Sequence, residues 1–164
     1  MTFSRRCSII LGNSLKGEDV LVHMNMTVTT IPHQTILHVV GQGDFTLDAA
    51  MRTFLEIVSA VDEHKSEKVL FDGRHIIGEP TIIERFYYGE FAADAVTQLT
   101  ESHGYLNNPP FAYVLLPPVL DPAKLGETVA TNRGMNVKVF DNMQEAIKWL
   151  KLAPADVEYF SRIA

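Results

Sequence analysis

Hydrophobic and polar residues alternate from Met26 to Ile31 (MTVTTI), and most are β-branched, which predicts a strand. Pro32-His33-Gln34 makes a turn. Thr35–Val40 (TILHVV) reads as the second strand of a hairpin, closed by Gly41 and Gly43. The period then changes. Leu47, Ala50, Met51, Phe54, Leu55, Val58 and Val61 recur at three and four, predicting a helix with one buried face to about His64, capped by Asp44 or Thr46. Lys68–Asp72 is a short, continuously apolar strand, as expected of a central strand covered on both faces.

A long helix is predicted from about Thr81 to Thr100, ended by His103-Gly104 and Asn107-Asn108-Pro109-Pro110. Phe111–Leu116 (FAYVLL) is another buried strand, stopped by Pro117-Pro118. Asp121-Pro122 opens a third helix, with the aspartate as cap and the proline in the first turn, and Gly134 closes it. Asn136–Phe140 alternates as a strand. Asn142 with Glu145 resembles a capping box that opens the fourth helix, through Ile147, Trp149 and Leu150, and Pro154 ends it. Strands alternating with helices predict an α/β fold: a five-stranded mixed sheet, with an antiparallel N-terminal hairpin plus parallel βαβ units, and four helices. The domain spans 25–152, with residues 1–24 an N-terminal extension and 153–164 a short tail.

Composition narrows the function classes. The chain has 164 residues, which is the size of one domain with a real core. Twenty acidic residues against 14 basic ones give a net charge of −6, which opposes contact with phosphate backbones, so nucleic acid is not an expected partner. Cys7 stands alone, so an internal disulfide is impossible and the thiol reads as structurally neutral. Arg5 and Arg6 precede Ile9-Ile10-Leu11, but Gly12-Asn13-Ser14 break the apolar run before it reaches signal-peptide length. No stretch approaches the ~20 apolar residues of a membrane span. The expectation is a soluble, cytoplasmic protein.

Three stretches carry a resemblance: VLFDGRHIIGEP (69–80), ERFYYGEFAA (84–93) and NRGMNVKVFDNMQEAIKWL (132–150). With the element order, they make the chain from about Met26 to Leu152 resemble the STAS domain, in particular the bacterial SpoIIAA-like proteins of uncharacterised function. The resemblance implies the SpoIIAA-like fold. It also implies a regulatory module that holds a protein partner and is switched by phosphorylation of a serine, preceded by aspartate, at the start of the second helix. The equivalent segment here is Gly78-Glu79-Pro80-Thr81, where Glu79 stands near the acidic position and Pro80 or Thr81 replaces the serine.

Candidate chemistry lies in the same region. Asp72, Arg74 and His75 fall at the C-terminal end of a central strand, where open α/β sheets bind ligands. They read either as a site for a polar or phosphorylated ligand or as a turn in which Arg74 pairs with a carboxylate. No glycine-rich phosphate loop accompanies them. His33, His38, His64, His75 and His103 show no helical metal-pair spacing, and no Gly-x-Ser-x-Gly occurs, so neither metal, cofactor nor enzyme activity is expected. Thr81-Ile82-Ile83-Glu84 fits a capping box, with Thr81 also at the switch position. The second helix is apolar nearly all round. Ile82, Phe86, Ala93 and Val96 share one face, Ile83, Tyr87 and Phe91 another, and Tyr88, Ala95 and Leu99 a third. Such a helix needs cover on several sides. Neighbouring helices, a second subunit or an apolar ligand would supply it, with Phe86, Tyr87, Tyr88 and Phe91 as the residues concerned. The sequence thus points to a non-enzymatic STAS-like binding or regulatory module, expected as a homodimer or with a protein partner. The alternative is a carrier of a small apolar ligand or lipid, by analogy with SEC14-type domains.

Overall fold

The computed structural model describes residues 24–103 and 108–163. Cys7, the Arg5-Arg6 segment, all of the expected extension but Met24, and the breakers Gly104 and Asn107 lie outside the described residues. The elements are β1 (Thr27–His33), β2 (Ile36–Asp44), α1 (Leu47–His64), β3 (Lys68–Ile77), α2 (Ile82–His103), β4 (Phe111–Val114), α3 (Leu125–Asn132), β5 (Val137–Phe140), α4 (Met143–Trp149) and α5 (Pro154–Ile163).

The five strands lie in sequence order, β1-β2-β3-β4-β5, with β1 antiparallel to β2 and every other pair parallel. This is the α/β mixed sheet that the periodicity predicts. Strand order advances in one direction, so crossovers of one hand place α1, α2 and α3 on the same face. There Leu37, Val39, Val69, Phe71, Phe111 and Tyr113 meet Phe54, Ile57, Val61, Val96 and Leu99. The opposite face carries Ile36, Leu70, Ala112 and Val114. It is covered by α4 and α5 through Ile147, Leu150 and Phe160. Pro32 sits within β1, an edge strand that tolerates its missing N–H.

Local chemistry fixes most boundaries. Thr46 is extended and accepts from the Ala49 amide at 3.2 Å, and Lys65 ends α1 in the left-handed region. Asn142 caps α4 by accepting from the Glu145 amide at 2.9 Å. Five expectations are corrected. Gly41 and Gly43 do not close β2, which runs through them to Asp44 with a register shift between Val40 and Gln42. A side chain at Gly41 would sit 2.8 Å from the Phe71 ring, so that glycine is a packing requirement inside a strand. Asp72-Gly73 is not a turn: β3 continues to Ile77. Asp121-Pro122 does not open α3. Asp121 accepts from the amides of Ala123 and Leu125 in a turn, Lys124 is left-handed at φ 50°, and the helix starts at Leu125. Residues 154–163, expected as a tail, form a fifth helix with Pro154 in its first turn and Phe160 fully buried. Leu55, expected on the buried face of α1, is 52% exposed.

Candidate functional site

In mid-β3, Asp72 and Arg74 are bound to each other. Asp72 is buried, and Arg74 donates to it from Nε (2.8 Å, Oδ1), Nη2 (2.7 Å, Oδ2) and its own backbone amide (3.2 Å, Oδ1). Burial pushes the Asp72 carboxyl up. The bonds and charge of Arg74, with a smaller contribution from His38, outweigh it and hold the group below the usual carboxylate range. His75, the third candidate of this stretch, is exposed.

Next to this pair lies a group that pattern reading passed over. Val40 of β2 pairs with Asp72, and His38 pairs with Leu70, so His38 and Asp72 share the α4–α5 face. His38 is 3% exposed, meets the Phe160 ring edge-on at 5.4 Å, and among the described residues has no hydrogen-bond partner on either ring nitrogen. Burial lowers its pKa, Asp72 opposes the shift, and Arg74 adds to it. On β1, His33 Nε2 donates to Asp156 of α5 at 3.1 Å, and its ring stacks on Tyr159 at 4.0 Å. The only sequence signal for these was a histidine interrupting an apolar strand.

At the start of α2 the capping box forms. Thr81 Oγ1 accepts from the Glu84 amide at 3.3 Å, and Glu84 Oε2 accepts from the Thr81 amide and hydroxyl, each at 2.8 Å. Those bonds, the amide's first, hold the Glu84 carboxyl below its ordinary range.

Beyond the cap, α2 divides. Ala92, Ala93, Ala95, Val96 and Leu99 are buried. Phe91 is half-buried and packs toward Phe54, and Tyr88 turns inward, its hydroxyl 3.1 Å from that of Tyr113. In the first two turns Ile82 is 75% exposed, Ile83 65%, Tyr87 52% and Phe86 38%. Ile77 at the end of β3 and Leu116 after β4 are also exposed. Phe86 and Tyr87 meet edge-on at 5.8 Å, and Arg133, paired with Glu90, lies over the Phe86 ring at 5.8 Å. Ile82 and Phe86 share a helix face with the buried Ala93 and Val96, so the stripe is continuous and its cover stops short. Of the four aromatic candidates, Phe86 and Tyr87 are on the surface, and Tyr88 and Phe91 are half-buried against the core. Among the described residues no His, Cys, Asp or Glu cluster could hold a metal, and no helix is long and apolar enough to cross a membrane.

No protein-family model matches the sequence, and no curated protein matches it. Among solved structures, an anti-sigma factor antagonist from Mycobacterium paratuberculosis is similar at 10% identity over 77% of this chain and 95% of that one, with a TM-score of 0.48. An uncharacterized protein with a SpoIIAA-like fold from Shewanella loihica is similar at 15% identity over 77% and 93%, with a TM-score of 0.41. At these identities and scores the likeness concerns chain course, and it says nothing of the site.

Proposed function

We propose that the protein is a non-enzymatic binding or regulatory module that acts through protein–protein contact, and that the outer side of the first two turns of α2 is its contact surface. One observation carries this reading: Ile82, Ile83, Phe86 and Tyr87 form a contiguous apolar surface on a helix whose later apolar residues, Ala92 to Leu99, are buried. Uncovered apolar surface of this kind marks interaction sites, and aromatic residues are favoured in them. Two polar pairs near this end of the sheet are spent on one another, Asp72 on Arg74 and Glu84 on Thr81. In this proposal Thr81 is a helix cap, not a phosphate acceptor.

A second copy of the chain is the proposed first partner. Apolar surface carries no sign that needs an opposite, so the patch can meet itself across a two-fold axis. Native mass spectrometry and sedimentation test this on the whole chain. A dimer is expected for the wild type, and a folded monomer for Tyr87→Asp. A wild type that stays monomeric at all accessible concentrations overturns the self-contact.

A further inference from the structure

Behind the outer patch, on the inner side of the same turns, lies a partly enclosed cavity of about 120 Å³ between α2, α3 and the sheet. Its wall is mainly apolar, with Phe71, Ile76, Ala92, Met135 and Val139 among the residues that form it. The charged groups on the wall are already engaged. Arg85 donates to the carbonyls of Pro80, Pro118 and Val119, and Lys124 to that of Val139. Asp121 accepts from two amides, and Glu127 accepts from the Val139 amide at 2.7 Å.

The Tyr88–Tyr113 pair is different. Its two hydroxyls lie 3.1 Å apart and either one can be the donor. Two hydroxyls carry two protons, and one hydrogen bond uses one of them. Among the described residues neither hydroxyl has another partner, so one O–H proton is left unspent against an apolar wall. An unmade donor facing an apolar wall is costly. Burial raises both phenol pKa values, that of Tyr88 to about 12, so both protons are in place at neutral pH.

We infer that this cavity is a binding site for a small apolar molecule, about one ring in size, carrying a single hydrogen-bond acceptor that takes the free proton of the Tyr88–Tyr113 pair. The size follows from volume: an apolar cavity of about 150 Å³ stays dry and admits a benzene-sized ring. The inference is independent of the protein-contact reading, because it concerns the inner side of α2.

The test uses two probes of nearly the same shape, acetophenone and α-methylstyrene, which differ by a carbonyl oxygen against a methylene. Each is titrated into the full chain while the methyl signals of Ala92, Met135 and Val139 are followed by NMR. Acetophenone should bind saturably and roughly five- to tenfold more tightly than α-methylstyrene, the worth of one hydrogen bond. In Tyr88→Phe/Tyr113→Phe that ratio should fall to about one. If neither probe moves these methyls saturably, the site is refuted. Equal affinity of the two probes for the wild type refutes the acceptor requirement, and this comparison decides the matter even if the double variant does not fold.

Discussion

The two faces of the sheet are finished differently. On the face covered by α4 and α5, apart from the unpaired ring nitrogens of His38, side chains close on one another: Phe160 fills the centre, His33 ties α5 to β1 through Asp156, and Arg74 wraps Asp72. On the face covered by α1, α2 and α3, the deep part is equally well packed. Toward the start of α2, however, a cavity opens on the inner side and apolar side chains stand in solvent on the outer side. The contrast teaches where a function is to be sought. Groups that satisfy one another hold the fold, and groups left without partners are available to something else.

The largest expected effect breaks the closed face. Phe160→Ala removes a fully buried ring that seats α5 and should cost about 3–5 kcal/mol in urea unfolding. A loss near zero would mean that α5 is not part of the fold. Next is Arg74→Met, which leaves the buried Asp72 carboxylate unpaired. Because Arg74 is partly exposed, we expect about 2–3 kcal/mol, less than for a fully buried pair. The deficit of the variant against the wild type should also shrink as pH falls. In the wild type, Asp72 has a lowered pKa, so its contribution is complete above the unfolded value and disappears only as pH falls through the lower folded value. Without Arg74, burial is opposed only by the smaller pull of His38 and raises the carboxyl, so acid relieves the variant's penalty where it removes the wild type's gain.

His38 sharpens the same contrast with a pH signature. Its folded pKa lies below the unfolded value of about 6.5, so the unfolded chain binds the extra proton. Stability should therefore fall as pH drops below about 6.5 and level off below the folded pKa. Replacing the ring by leucine (His38→Leu) should flatten that part of the wild-type curve. An unchanged slope between the two proteins would assign the pH dependence elsewhere.

Smaller effects belong to the open region. Thr81→Ala should cost about 1 kcal/mol by loss of the cap, and Thr81→Ser very little. Substantial phosphate on Thr81 in protein from its native cell would revive the switch that the cap reading replaces. Tyr87→Asp should change stability by no more than about 0.5 kcal/mol, as expected for an exposed side chain, while it abolishes self-association. A protein that unfolds instead would place Tyr87 in the monomer core.

Periodicity and capping chemistry made much of this legible. The hairpin, the amphipathic α1 with its Thr46 cap, the Thr81–Glu84 box and the order of strands and helices all follow from local patterns. The start of α3 is misread for a local reason, the turn at Asp121, while the other misreadings depend on packing against distant parts of the chain. Gly41 and Gly73 look like strand ends, yet they are strand positions where Phe71 crowds out a side chain, at 2.8 and 2.7 Å respectively. Pro154 reads equally well as the stop of one helix or the start of another, and only the pocket that receives Phe160 decides. Tyr113 looked like one more apolar residue in FAYVLL, and its pairing with Tyr88 spans 25 residues. The resemblance anticipated the sheet, but it could not show that α2 is covered along its deeper turns and bare at its start.

Hydrogen–deuterium exchange of the peptide covering residues 79–91, followed across a wide range of protein concentration, tests the contact surface most directly. The account predicts that protection of this peptide rises with concentration in the wild type and stays flat in Tyr87→Asp, while peptides from α5 are unaffected in both. Exchange that is independent of concentration in the wild type would contradict it.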